Sequence, residues 1–164
     1  MNARTIDPVC GMEVDPRQYQ TNYLGVTYAF CSEQCQQRFL ANPRLYVGVP
    51  GNPTPRQEGV VVIKKRRMRL AAPLDHDQAR KVIDSLNEMM GIRHASADGD
   101  IIEITYDLLE AGAALIEQRL AAIGVQLGEG WSERLRRAFI HFEEECELEN
   151  LAANDKNCCE ARRW

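Results

Sequence analysis

YLGVTYAFCSEQCQQRF, residues 23–39, decides how this chain is read. Its first half is rich in Tyr, Val, Thr and Phe and is interrupted by Leu24-Gly25, which predicts a β-hairpin. Ser32 then stands where a helix N-cap belongs, with Glu33 in the first turn, where the helix dipole favours an acid. The spacing predicts a helix over EQCQQRFLA that stops near Asn42, because Pro43 disfavours a helical residue before it. Cys31 falls at the end of the hairpin and Cys35 in the first turn of the helix. Both sulfurs therefore lie near one helix N-terminus, whose positive end is expected to lower a thiol pKa.

Upstream, Pro8-Val9-Cys10-Gly11-Met12 adds a third thiol on a turn that Gly11 permits. A turn-borne cysteine and two cysteines at a hairpin-to-helix junction can surround one soft cation. A zinc site normally wants four ligands. No histidine precedes His76, so Met12, Glu13, a tail cysteine or water would have to supply the fourth, whereas Cu(I) accepts three sulfurs. The plainer alternative is three reduced cysteines packed in a small core. The six cysteines are Cys10, Cys31, Cys35, Cys146, Cys158 and Cys159, three near each end with none between. In a reducing compartment such clusters read as metal ligands or redox groups rather than disulfides.

Downstream, residues 49–59 are proline- and glycine-rich and read as a linker. Residues 60–127 have their own rhythm. VVVIKKRRMRL is β-rich, and its basic run reads as a solvated edge strand. Asp75 or Asp77 can cap a helix through QARKVIDSLNEMM with Ala79, Val82, Ile83, Leu86 and Met90 on one face. Two strands flank Asp98-Gly99-Asp100, a second helix ends at Gly124, and VQL (125–127) reads as a last strand. The order β-α-β-β-α-β is that of a ferredoxin-like domain. Residues 128–164 form a tail with a helix expected from Ser132 to Leu151, on which Leu135, Phe139, Phe142 and Cys146 share a spacing. That helix runs from basic to acidic, against its dipole. The whole chain is expected to be α+β, with a metal module over 1–48.

DPVCGMEV (7–14), YLGVTYAFCSEQCQQRF (23–39) and NPRLY (42–46) together resemble the YHS domain. That is a short metal-associated module found alone or attached to copper-transporting P-type ATPases. The resemblance implies binding of a heavy metal, copper or zinc, with Cys10, Cys31 and Cys35 as the positions carried over. The histidine that often precedes the hairpin glycine is absent here. GIRHASADGDIIEITYDL (91–108) and IEQRLAAIGV (116–125) resemble, in architecture, the heavy-metal-associated domain. Its metal-chaperone members carry MxCxxC before the first helix. Here that loop is AAPLDHD (71–77), without a cysteine, so the likeness is to a degenerate member. His76 and His94 read as surface residues.

The bulk properties narrow the function. A formal net charge of -4 over 164 residues gives no nucleic-acid footprint. No apolar run approaches the roughly 18 residues that read as a membrane span. The start, MNARTIDPVCGM, lacks an apolar stretch, so a cytoplasmic location is expected. The expected role is metal sequestration, delivery or homeostasis, with Cu(I) or Zn(II) as the ion. Its partner would be a copper-transporting P-type ATPase or another metal-handling protein. Met12, Cys146, Cys158 and Cys159 are secondary ligand candidates. The alternatives are a thiol oxidoreductase, although Cys31 and Cys35 make C-x3-C rather than C-x-x-C, and a metal-responsive regulator, although no recognition helix is visible. No nucleotide loop, Ser-His-Asp set or paired-carboxylate site stands out, so a catalytic role is not the leading expectation.

Overall fold

The computed structural model describes residues 4–48 and 52–153. The fold is α+β and divides into two units, one running to Val60 and resumed from Cys146, the other Val61–Glu145.

In the first unit β1 (Thr5–Ile6) pairs antiparallel with β2 (Glu13–Val14). β3 (Thr21–Tyr23) and β4 (Val26–Tyr28) form the expected hairpin. Leu24 and Gly25 take φ of +51° and +79°, the doubly left-handed turn whose twist suits a two-residue hairpin loop. Glycine adopts this at no cost, and Leu24 is turned out to solvent. α1 (Glu33–Ala41) begins at Ser32, whose hydroxyl accepts from the Cys35 amide at 3.3 Å. It ends at Asn42, ahead of a 3-10 turn at Pro43–Leu45. Phe39 packs against Tyr23, Tyr28, Phe30 and Tyr46 with ring centroids 5.1–6.2 Å away, and this aromatic group with Val9, Val14 and Leu45 makes the core. Part of the proline-rich stretch is folded onto this unit. The Gln57 amide donates to the Thr54 hydroxyl, the Thr54 amide donates to the Gln57 side chain, and the Arg56 amide donates to the Leu45 carbonyl.

The second unit contains β5 (Ile63–Arg69), α2 (His76–Asn87), β6 (Ile92–Asp98), β7 (Ile101–Asp107) and α3 (Ala113–Ala122). The sheet order is β5-β7-β6, with both pairs antiparallel. Asp75 caps α2 through a reciprocal bond pair with Gln78, while Asp77 lies in the first turn. α2 stops at Asn87 rather than at Met90, as the chain turns towards Gly91. Gly91 has φ +85°, and a Cβ there would stand 2.7 Å from the Glu110 Cβ, so only glycine fits. The last strand expected at 125–127 is not formed. Leu127 makes one antiparallel bridge with Leu70, just past the end of β5 at Arg69, closed by the Gly128 amide on the Arg69 carbonyl and the Ala71 amide on the Gln126 carbonyl.

α4 (Trp131–Ala153) is slightly longer than expected. Leu135, Phe139 and Phe142 are exposed, whereas Glu144 is buried. Tyr106 donates to one Glu144 oxygen and the Ala113 amide donates to the other at 2.8 Å. The basic strand β5 is accordingly not uniformly solvated. Lys64 and Arg66 are largely covered and reach Glu143 at 3.8 and 3.4 Å, while Arg67 and Arg69 face out. These pairs offset the unfavourable placement of acids along the helix.

Candidate metal centre

Asp7 lies at the centre of the first unit's loop system and is fully buried. Its Oδ1 accepts from the amides of Val9 at 2.8 Å and Cys10 at 3.4 Å, and its Oδ2 accepts from the Cys31 amide at 2.8 Å. The backbone closes the same loop: the Gly11 amide donates to the Asp7 carbonyl at 2.8 Å, and the Asp7 amide to the Met12 carbonyl at 2.9 Å. Gly11 at φ +78° allows the reversal. One carboxylate thus fixes the turn that carries Cys10 to the segment that carries Cys31, although the two are 21 residues apart. Bonds from amides to a charged acceptor are individually strong, about 1.5–3 kcal/mol each.

The sulfurs converge at this point. Cys10 Sγ lies 3.6 Å from Cys31 Sγ, and Cys31 Sγ lies 3.6 Å from Cys35 Sγ. Cys31 Sγ is also 3.6 Å from the Ser32 hydroxyl. The three sulfurs and an Asp7 carboxylate oxygen all lie within 4.8 Å of one another, an arrangement that could hold a metal ion. Cys35 is buried and Cys10 and Cys31 are half-buried.

For Cys35 the expectation of an acidified thiol is overturned. Burial pushes the Cys10 thiol up to about 12, the negative charge of Asp7 adds to this, and the hydrogen bond from the Met12 backbone works the other way. Cys35 is raised further, by burial first and then by Asp7 and the neighbouring sulfurs. The helix N-terminus is present, but desolvation together with a carboxylate at the site outweighs it.

Met12 is exposed and, with Arg4, Glu13, Val14, Asp15, Gln18 and Cys31, lines an open cavity of about 420 Å³ beside the sulfurs. Glu13 pairs with Arg4 at 3.3 Å. Cys146 lies on α4 and is not among the clustered groups; Cys158 and Cys159 lie outside the described residues. His76 and His94 are exposed, as expected. Asp7 was not singled out from the sequence as a site residue. The available signal was Asp7-Pro8, since an aspartate before proline commonly starts a turn through its own side chain.

Among the described residues no helix is long and apolar enough to cross a membrane. No curated protein and no solved structure matches the chain. Residues 5–49, the segment that holds Asp7 and all three clustered thiols, match the family model described as the YHS domain.

Proposed function

We propose that the first unit binds one thiophilic cation through Cys10, Cys31 and Cys35, and that the protein holds or delivers that metal. The observation that carries this reading is the pair of 3.6 Å sulfur separations around Cys31. A regular tetrahedron with zinc–sulfur bonds of about 2.3 Å has edges of about 3.8 Å. The sulfurs are therefore spaced close to what a single ion requires. Both oxygens of Asp7 already accept backbone amides, which makes it more an organiser than a free ligand. Three sulfurs without a committed fourth donor suit Cu(I); Zn(II) would draw on Asp7, Met12 or water from the adjoining cavity. The YHS match supports the same class of ligand.

The same separations also favour a second reading, disulfide chemistry between Cys31 and either neighbour. Cys31 and Cys35 are spaced C-x3-C and not C-x-x-C, and the third sulfur and Asp7 crowd the same point, so we rank it below metal binding. On the metal reading the second unit presents or docks the first. Its β-α-β-β-α order is what a ferredoxin-like domain gives when its fourth strand shrinks to one bridge. A copper-transporting ATPase is the partner class that the resemblance suggests. Anaerobic titration with Cu(I) and with Zn(II) against a competing chelator tests the reading. One equivalent should bind tightly, with three sulfur neighbours by X-ray absorption for Cu(I). Substituting Cys10, Cys31 and Cys35 together by Ser should remove that equivalent; an unchanged stoichiometry refutes the assignment.

A further inference from the structure

Trp131, Leu135, Phe139 and Phe142 are 80%, 56%, 66% and 64% exposed. With 3.6 residues per turn they occupy an arc of roughly 80° on α4. This is a continuous apolar stripe, not scattered surface residues. The opposite side of the helix is anchored within the second unit. Glu144 takes bonds from Tyr106 and the Ala113 amide, Arg137 donates to the Gly128 carbonyl at 2.7 Å, and His141 meets Glu117 at 2.9 Å. The stripe is therefore held facing outwards.

The charges beside it indicate what covers it. Arg134 and Arg136 precede Phe139, and Glu143 and Glu145 follow Phe142. The pairs Arg134/Glu145 and Arg136/Glu143 are both centred between Phe139 and Ile140. A two-fold axis at that point would lay Arg134 of one copy opposite Glu145 of the other, twice; Arg136 would fall opposite Glu143, whose carboxylate is already held by Lys64 and Arg66 of its own chain, so the Arg134–Glu145 pair carries the complementarity. Parallel packing would set like charges together, and a uniformly charged partner would match only half of the face. Antiparallel packing also sets the two helix dipoles head to tail. We propose that α4 is a self-association surface on which two copies of this chain pair antiparallel about Phe139, with Leu135, Phe139 and Phe142 at the contact and Trp131 at its rim. The contact is isologous, as closed dimers require. It does not depend on the metal reading.

The test is sedimentation equilibrium of the full chain with reductant and chelator present, which removes disulfide-linked and metal-bridged dimers. The wild type should be a dimer at micromolar concentration. Phe139→Asp should raise the dissociation constant by at least about 30-fold, the behaviour of a central contact. Arg134→Glu should weaken the dimer, and Arg134→Glu combined with Glu145→Arg should restore it. The altered side chains are exposed, so the melting profile of each variant's monomer serves as the folding control. A monomeric wild type, or a dimer indifferent to Phe139→Asp, overturns the proposal. A reversed charge pair that fails to rescue overturns the antiparallel arrangement.

Discussion

The two units solve the problem of folding by different means. The second has three seven-residue strands in one sheet, the helices α2 and α3 with most of α4, and a core of aliphatic side chains such as Ile102, Ile104, Leu108, Leu109, Ile116 and Leu120. The first, among its described residues up to Val60, has two-stranded sheets of two and three residues, one nine-residue helix and an aromatic group around Phe39. Its loops are held by a buried carboxylate and crowded thiols, groups that cost free energy to bury unless they are bonded or ligated. A unit built this way gains from a bound ion, whereas one built on aliphatic burial has no such need.

Metal loading is the strongest way to separate them. At an ion concentration 1,000 times the dissociation constant, binding stabilises the folded first unit by about 4 kcal/mol. Calorimetry with and without one equivalent of metal should move one transition and leave the other in place. If both shift together, the two units are not energetically independent. The Ser triple variant should show no shift.

Proton competition comes next. Ligation displaces the protons that burial keeps on Cys10 and Cys35, so apparent affinity should rise with pH, by up to about 100-fold per unit below pH 9 for two displaced protons. The protein without metal should behave oppositely. The folded Cys10 pKa is raised from 9 to about 12, so its contribution is complete below pH 9 and is lost as pH climbs from 9 towards 12. Chelator-treated protein should therefore lose the first unit's transition first in alkaline melts. An affinity that does not change with pH contradicts the burial argument.

Asp7→Asn tests the organiser. The amide keeps one acceptor and presents a donor to a backbone N–H, leaving at least one of the three amides unpaired. Metal affinity should fall about 10–100-fold, as for groups that orient ligands, with sulfur number unchanged. A loss of one non-sulfur neighbour by X-ray absorption would instead identify Asp7 as a ligand. The smallest effect should come from Glu144→Gln, which weakens the bonds from Tyr106 and the Ala113 amide by about 1–3 kcal/mol in the second unit and leaves metal affinity unaltered.

The contrast also explains what could be read from the sequence. The hairpin turn at Leu24-Gly25, the Ser32 cap, the end of α1 at Asn42 and the β6–β7 turn all depend on neighbours within four residues, and all appear where the sequence puts them. Features that depend on distant chain were harder to see. Asp7 acts on the Cys31 amide across 24 residues, and one glutamate in an acidic run is buried because Tyr106 stands 38 residues away. The apolar spacing of α4 is plain in the sequence, but that the helix is anchored by its polar side is not. The Cys35 thiol departs from its local reading for the same reason: the helix N-terminus is local and visible, but the burial that outweighs it is tertiary.

Ser32 links the timing of the helix to the geometry of the ligands. Its hydroxyl accepts the Cys35 amide and also the Cys31 thiol. The first turn of α1 therefore works as a gauge block between two sulfurs. Unwinding that turn by one residue would move Cys35 away from Cys31, so fraying at this helix end and opening of the sulfur cluster are one motion.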